Sequence, residues 1–256
     1  MSREEKYSGR TIRSVQLSFR LIEALQVQGG VGVSDLASKL GHSKSTIYSH
    51  LRTLEQENIV VQEESGYRLS LRMLDIANSV RNQFGNYEVV RKEVNKLANE
   101  TGEIAQFGIE EYGKISYLHK STGDQAVETA SDIGKQQPLY STALGKTILA
   151  HLSRQKMYEI TSRIDYSKKT PNTITNTSDL HEELEQISER GYGVDDEENI
   201  EGLRCVAAPV KKGDTVFGAV GITGPSSRFT KQRIENSLSD KVKSTSNIIE
   251  LNTKFS

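Results

Sequence analysis

The chain has 256 residues, a formal charge of −1 from 33 Lys and Arg against 34 Asp and Glu, one Cys and no Trp. A single Cys excludes an internal disulfide framework and a Cys-rich zinc module, and no apolar run reaches the roughly 18 residues that a membrane-spanning helix needs. The opening MSREEKYSGR mixes acids with bases and does not read as a secretory signal, so no membrane contact is expected and the cytoplasm is the expected setting.

Charge is uneven along the chain. Residues 1 to 54 hold eight bases (Arg3, Lys6, Arg10, Arg13, Arg20, Lys39, Lys44, Arg52) against four acids, a net of +4, which leaves −5 for the other 202 residues. A basic head on a mildly acidic body suggests a polyanion-binding module joined to something else. In the head, Val15, Phe19, Ile22 and Leu25 recur at helical spacing and Gly29-Gly30 ends the segment. Ser34 is the expected cap of a short second helix, with Leu36, Ala37 and Leu40 inside and Gly41 as its stop. Ser43 caps a third helix with Ile47, Leu51 and Leu54 on one side, and Ile59 to Leu69 reads as a hairpin turning at Ser65-Gly66. That order is a winged helix-turn-helix, placed at residues 1–70.

A connecting helix over residues 71–85 follows, with a stripe of Leu71, Leu74 and Ala77. The body, 86–256, opens on a helix marked by Val90, Val94 and Leu97 that ends near Gly102. Ile104 to Ile109 and Lys114 to Lys120 read as strands around a turn at Glu111 to Gly113, and Ala126 to Ser131 as a third strand. Helices are expected over Thr142 to Leu152, Met157 to Ile164 and from a cap at Ser178 to Gly191. Cys205 to Val210 and Thr215 to Thr223 return to strands before a last helix through Ile234, Leu238 and Val242. Strands on both sides of a helical insertion make this an α+β fold, an antiparallel sheet flanked by helices.

The third helix carries the plainest chemistry. Opposite its apolar arc stand Ser45, Tyr48, Ser49 and Arg52, with no acid before Glu55. Such a face enters a major groove without repelling phosphate: Arg52 offers a fork to guanine, and Ser and Thr hydroxyls, Thr46 among them, take phosphate oxygens or base edges. Ser43, Lys44 and Ser45 sit where free N–H groups and the helix dipole attract phosphate. Arg68 on the hairpin is a weaker candidate, because Glu63 and Glu64 stand near the tip.

The body offers less. Cys205 has no His near it in sequence, and there is no nucleophile elbow, Gly-rich phosphate loop or paired metal-binding His, so no catalytic residue, metal or cofactor is expected. The thiol reads as core or as the wall of a pocket. Asp195, Asp196, Glu197 and Glu198 read as a solvated loop before a strand, with a cation site or one acid turned into a pocket as the other readings. Ser141 and Thr142 start a helix whose free amides could hold a carboxylate.

Four stretches together resemble the IclR family of transcription regulators over nearly the whole chain. They are VSDLASKLGHSKSTIYSHLRTLEQENIV from Val33, PLYSTALGKTILA from Pro138, RGYGVDDEENIEGLRCVAAPV from Arg190 and GITGPSSRFT from Gly221. The resemblance implies a GAF-like effector-binding body, a homodimer or homotetramer on operator DNA, and a small organic acid or aromatic catabolite as effector. The matching pocket positions are Ala143, Leu144, Asp195, Leu203, Cys205, Gly221 and Thr223. Tyr140 stands where the family usually has His, and Gly221 where it usually has Ser, which implies a ligand larger or less polar than a two- or three-carbon oxoacid. The expected protein is a DNA-binding regulator that senses a metabolite. The competing expectations are an architectural DNA-binding dimer without effector and an enzyme using the body pocket.

Overall fold

A computed structural model of the chain describes residues 10–27, 29–129 and 131–253. Arg3, Glu4, Glu5 and Lys6 of the basic head and Ala130 of the expected third strand lie outside these residues. The chain divides into two compact units, Met1–Phe84 and Gly85–Ser256.

In the first unit, helices α1 (Arg13–Val27), α2 (Val33–Leu40) and α3 (Lys44–Gln56) precede a hairpin of β1 (Val60–Glu63) and β2 (Gly66–Leu69), then helix α4 (Arg72–Gln83). Its core gathers Leu17, Leu21, Leu25, Leu36, Ile47, Leu51, Val60 and Tyr67. Gly41 ends α2 in the left-handed conformation at φ 71°, its N–H donating to the Ala37 carbonyl, which turns the chain sharply into α3. Two expectations fail here. Val15 and Phe19 are exposed, at 48% and 62%, and Leu17, Leu21 and Ala24 face inward instead. Helix α1 carries two apolar stripes at helical spacing, and periodicity alone does not say which one the neighbours cover. Ser34 lies inside α2, whose N-cap is Gly32 with no side-chain cap.

In the second unit, helix α5 (Tyr87–Thr101) leads into strands β3 (Ile104–Glu111), β4 (Lys114–Thr122) and β5 (Gln136–Pro138). Helices α6 (Ala143–His151), α7 (Arg154–Thr161) and α8 (Thr177–Arg190) follow, then strands β6 (Gly193–Asp196), β7 (Leu203–Lys212) and β8 (Thr215–Pro225). The chain closes on α9 (Lys231–Arg233), a π-helical turn (Ile234–Leu238) and α10 (Ser239–Thr253). The strands form one antiparallel sheet in the order β5-β4-β3-β8-β7-β6. One face packs Val90, Val94, Leu97, Val242 and Ile249 of α5 and α10 against Phe107, Val206 and Val220. The other packs Leu144, Ile148, Leu184 and Ile187 of α6 and α8 against Ile115, Ala207 and Ala219. The antiparallel sheet with helices on both faces agrees with the sequence reading.

Three local readings change. Residues 126–129 and 131 are not a strand: Ser131 is held by side chains, accepting from Gln106 Nε2 at its hydroxyl and from Lys120 Nζ at its carbonyl, and the strand that pairs with β4 is β5. Helix α8 is capped by Asn176, whose side chain accepts from the Asp179 N–H, and not by Ser178. The acidic run does not lie wholly in a loop, because Asp195 and Asp196 end strand β6.

Candidate functional site

Helix α3 is capped as its sequence suggests. The Ser43 hydroxyl accepts from the Thr46 N–H at 3.1 Å and hydrogen-bonds the Ser45 and Thr46 hydroxyls at 2.9 and 2.8 Å. Ile47, Leu51 and Leu54 are buried, while Ser45, Tyr48, Ser49 and Arg52 are exposed on the opposite side. Ser49 and Thr53 bond back to carbonyls one turn earlier, whereas Lys44 and Arg52 have no polar partner among the described residues. His50 is tied to α1 through the Ser18 hydroxyl at 3.0 Å, a contact that fixes α3 on its support and that no local pattern announces.

The wing differs. Arg68 donates through Nε to Glu63 at 2.5 Å and through Nη1 to the Leu69 carbonyl at 3.1 Å. Its charge is matched within the hairpin, which separates it from the free cations of α3.

In the second unit, Asp195 of β6, Cys205 of β7 and Thr223 of β8 stand side by side in one row across three paired strands. The next row, Gly193, Ala207 and Gly221, has minimal side chains, and α6 lies close upon it: a Cβ on Gly193 would come 2.3 Å from the Thr147 hydroxyl oxygen. The start of α6 therefore meets the Asp195 row, and a cavity of about 40 Å³ opens there. Ala143, Leu144, Asp195, Leu203, Cys205 and Thr223 all line it. Gly221 does not: the space beside it is filled by Leu144, so the glycine does not enlarge the cavity. Tyr140 also stands apart, bonded to Ser167 through its hydroxyl at 2.9 and 3.0 Å. The volume holds only a few waters, and Gln106, Tyr117, Ser131, Gln137 and Asn199 join the expected set in a wall whose exposed surface is mostly apolar. Sequence reasoning missed these because they come from β3, β4, β5 and two loops, with no local pattern to join them.

The acidic run is divided by burial. Asp196 and Glu197 are drawn to Arg204, at 2.5 and 3.5 Å. Glu198 is buried against Lys146, itself 1% exposed, and Lys146 also lies 3.6 Å from Glu183. Arg190 completes the chain of charges at 2.7 Å from Glu183. Among the described residues no group of His, Cys, Asp and Glu could hold a metal ion. Burial, with Glu198 close by, pushes the Asp195 carboxyl up to about 7 against the opposing pull of Lys146 and two backbone amides. Burial likewise pushes the Cys205 thiol up to about 12, and no His lines the cavity, so the thiol is a protonated wall group.

A winged helix-turn-helix with a bare basic-polar face, followed by a helix-flanked antiparallel sheet, defines a DNA-binding transcription regulator. The family model described as Bacterial transcriptional regulator IclR C-terminal matches residues 84–251, and the IclR helix-turn-helix domain matches residues 14–64. The chain belongs to the IclR family. It is 32% identical to HTH-type transcriptional regulator KdgR of Escherichia coli (strain K12) over 88% of this chain and 87% of that protein. The crystal structure of Thermotoga maritima IclR superposes with a TM-score of 0.82 at 29% identity, over 95% of this chain and 100% of that one. An IclR homologue from Microbacterium hydrocarbonoxydans, complexed with 4-hydroxybenzoate, shares the fold with a TM-score of 0.80 at 18% identity, over 95% of this chain and 100% of that one. Among the described residues no helix is long and apolar enough to cross a membrane.

Proposed function

We propose that this chain binds operator DNA as a homodimer or homotetramer in the cytoplasm, and that a small organic effector in the body cavity alters that binding. DNA recognition is assigned to Ser43, Lys44, Ser45, Thr46, Tyr48, Ser49 and Arg52 of α3 and its cap. The observation that carries it is the open face of that helix, a guanidinium, an aromatic ring and hydroxyls with no acid among them. Arg68 is left with a minor part, because Glu63 matches its charge.

Self-association is supported by α4. None of its residues is buried, and Leu74, Ile76 and Val80 are between 42% and 61% exposed, with Leu71 just before the helix also exposed. A helix with that much bare apolar surface gains by covering it with a second copy. The effector site is assigned to Ala143, Leu144, Asp195, Leu203, Cys205 and Thr223, supported by their meeting in one cavity. Domain bounds follow the same reading, with the head at residues 1–70, a linker helix at 71–85 and the effector-binding body at 86–256. An occupied cavity biases the dimer toward one spacing of its two heads, and half-sites on one face of DNA accept only spacings near one helical turn or its multiples.

Gel-shift titration of the full-length protein on its own upstream region tests the assignment. If Arg52→Ala and Ser49→Ala together leave affinity and sequence preference unchanged, α3 is not the reading helix.

A further inference from the structure

We propose a second binding site, separate from the body cavity: a groove across the ends of β3, β8 and β7, beside the last turn of α6, that takes a medium-chain monocarboxylate. The carboxylate pairs with Lys212, and the alkyl tail lies along an apolar floor. The site stands whether or not the cavity takes an effector.

The groove measures about 400 Å³, against about 40 Å³ for the cavity, and falls in the roughly 300–1,000 Å³ range of small-molecule sites. Its floor is Ile148 and Leu152 at the end of α6, Ile109 of β3, and Val216 and Phe217 of β8. Adjacent residues of a regular strand point to opposite faces, so such a strand would offer Val216 or Phe217 but not both. A β-bulge supplies both. Val210 pairs with Gly218 and Lys211 with Val216, which leaves Phe217 as the extra residue of β8. Bulges bend a strand and re-aim its side chains, and they gather next to functional sites. Ile148 is buried, but Ile109, Leu152, Val216 and Phe217 are only partly so, and a tail laid over them gains by removing them from water. The two sites do not overlap: Ala143 lines the cavity, Leu152 lines the groove, and about 13 Å of helix separates them.

The two ends of the floor differ in charge. On the β3 side Glu110 is already engaged: Oε1 takes the Gly113 N–H at 2.9 Å, and Oε2 meets Lys156 Nζ at 2.9 Å. On the β7 side Lys212 has no polar partner among the described residues. Strands β3, β8 and β7 are neighbours in the sheet, so two strand spacings, about 10 Å, lie between these ends. An unmatched ammonium, an apolar floor and then a neutralised pair suit one anionic head on an unbranched tail. A dicarboxylate would set its second charge against Glu110. An alkylammonium would meet Lys212 with like charge. An alcohol would cover the floor and leave Lys212 unmatched.

Calorimetric titration of the full-length protein with butanoate, hexanoate, octanoate, decanoate, 1-octanol and octylammonium tests the site. Affinity is expected to rise about twofold per added methylene, below the roughly fourfold of full burial because the groove is open on one side. It is expected to level off between octanoate and decanoate, where the tail outruns the floor. Octanoate is expected to bind about threefold or more tighter than 1-octanol and octylammonium. Lys212→Glu, at an exposed position, is expected to weaken octanoate about fivefold and to erase its advantage over 1-octanol. A wild-type crystal soaked with 8-bromooctanoate is expected to show bromine between Leu152 and Ile109, which decides the matter even if the variant does not fold. An affinity independent of chain length, octanoate binding unchanged in Lys212→Glu, or bromine anywhere else, the cavity included, overturns the proposal. So does a change of oligomeric mass in Lys212→Glu when octanoate does not bind the parent, which would make the groove a contact between copies. Failure here leaves the effector-site reading standing, because Lys212 does not line the cavity.

Discussion

Leu144 and Gly221 share one space: a Cβ built on Gly221 would lie 2.8 Å from Leu144 Cδ1, with the Val206 carbonyl at 2.9 Å and Ala207 Cβ at 3.0 Å on its other sides. The leucine on α6 thus occupies the room that a side chain on β8 would need. Gly221→Ser is expected to destabilise the protein by about 1–3 kcal/mol through overpacking. Leu144→Ala in the same chain vacates the space, so the double variant is expected to be more stable than the sum of the two single losses. Urea titrations of the four proteins measure that coupling.

Asp195 makes stability depend on pH. Its carboxyl lies at about 7 in the folded chain against an ordinary value of 3.8. Below the lower value the group is protonated in both states and the folded form has its full advantage. As pH rises toward 7 the unfolded chain gives up the proton freely and the folded chain holds it, so this contribution is lost and does not return above 7. Asp195→Asn has no such loss. Relative to wild type, the variant is expected to be more stable at pH 8, by an amount on the order of 1–4 kcal/mol, and to lose that margin by pH 4. Thermal unfolding at a series of pH values reads the difference.

The Lys146–Glu198 pair is buried, and removing Lys146 leaves the Glu198 carboxyl buried without its cation. Lys146→Met is expected to cost about 3–5 kcal/mol, and Lys146→Met with Glu198→Gln distinctly less. Chemical denaturation of both decides whether the pair acts as a unit.

Arg52 and Arg68 are both arginines of the head, but only Arg52 is free. Arg52→Ala is expected to cost about 1–3 kcal/mol in specific binding and to relax preference at one base pair. Arg68→Ala is expected to change binding by less than about 0.5 kcal/mol, in the range of an exposed ion pair. Fluorescence anisotropy on a labelled operator, at fixed salt, measures both.

Helix α4 carries the prediction on assembly. Leu74→Glu with Val80→Glu places charge on its bare apolar surface and is expected to shift the full-length protein toward monomer in light scattering, with weaker operator binding as a consequence. An unchanged mass would show that α4 is not part of the contact between copies.

Residue order by itself determined the elements with strong local causes. Ser43 caps α3 because a hydroxyl before an apolar-periodic run accepts a free N–H, and Gly41, Gly102 and Gly191 end helices because each stands in the left-handed region at φ 71°, 73° and 76°. The face of α3 was legible for the same reason: helical spacing separates Ile47, Leu51 and Leu54 from Ser45, Tyr48, Ser49 and Arg52 without reference to anything distant. Tertiary structure decided what depends on neighbours far along the chain. Which stripe of α1 turns inward depends on α2, α3 and the hairpin, so Val15 and Phe19 stayed outside although their spacing is helical. Two adjacent acids, Asp195 and Asp196, parted because successive residues of a strand point to opposite faces, one beneath α6 and one toward Arg204. The cavity is the strongest case. Tyr117, Gln137, Asp195 and Thr223 come together only when β4, β5, β6 and β8 pair in one sheet, and long-range pairing leaves no periodic mark in the order of the residues.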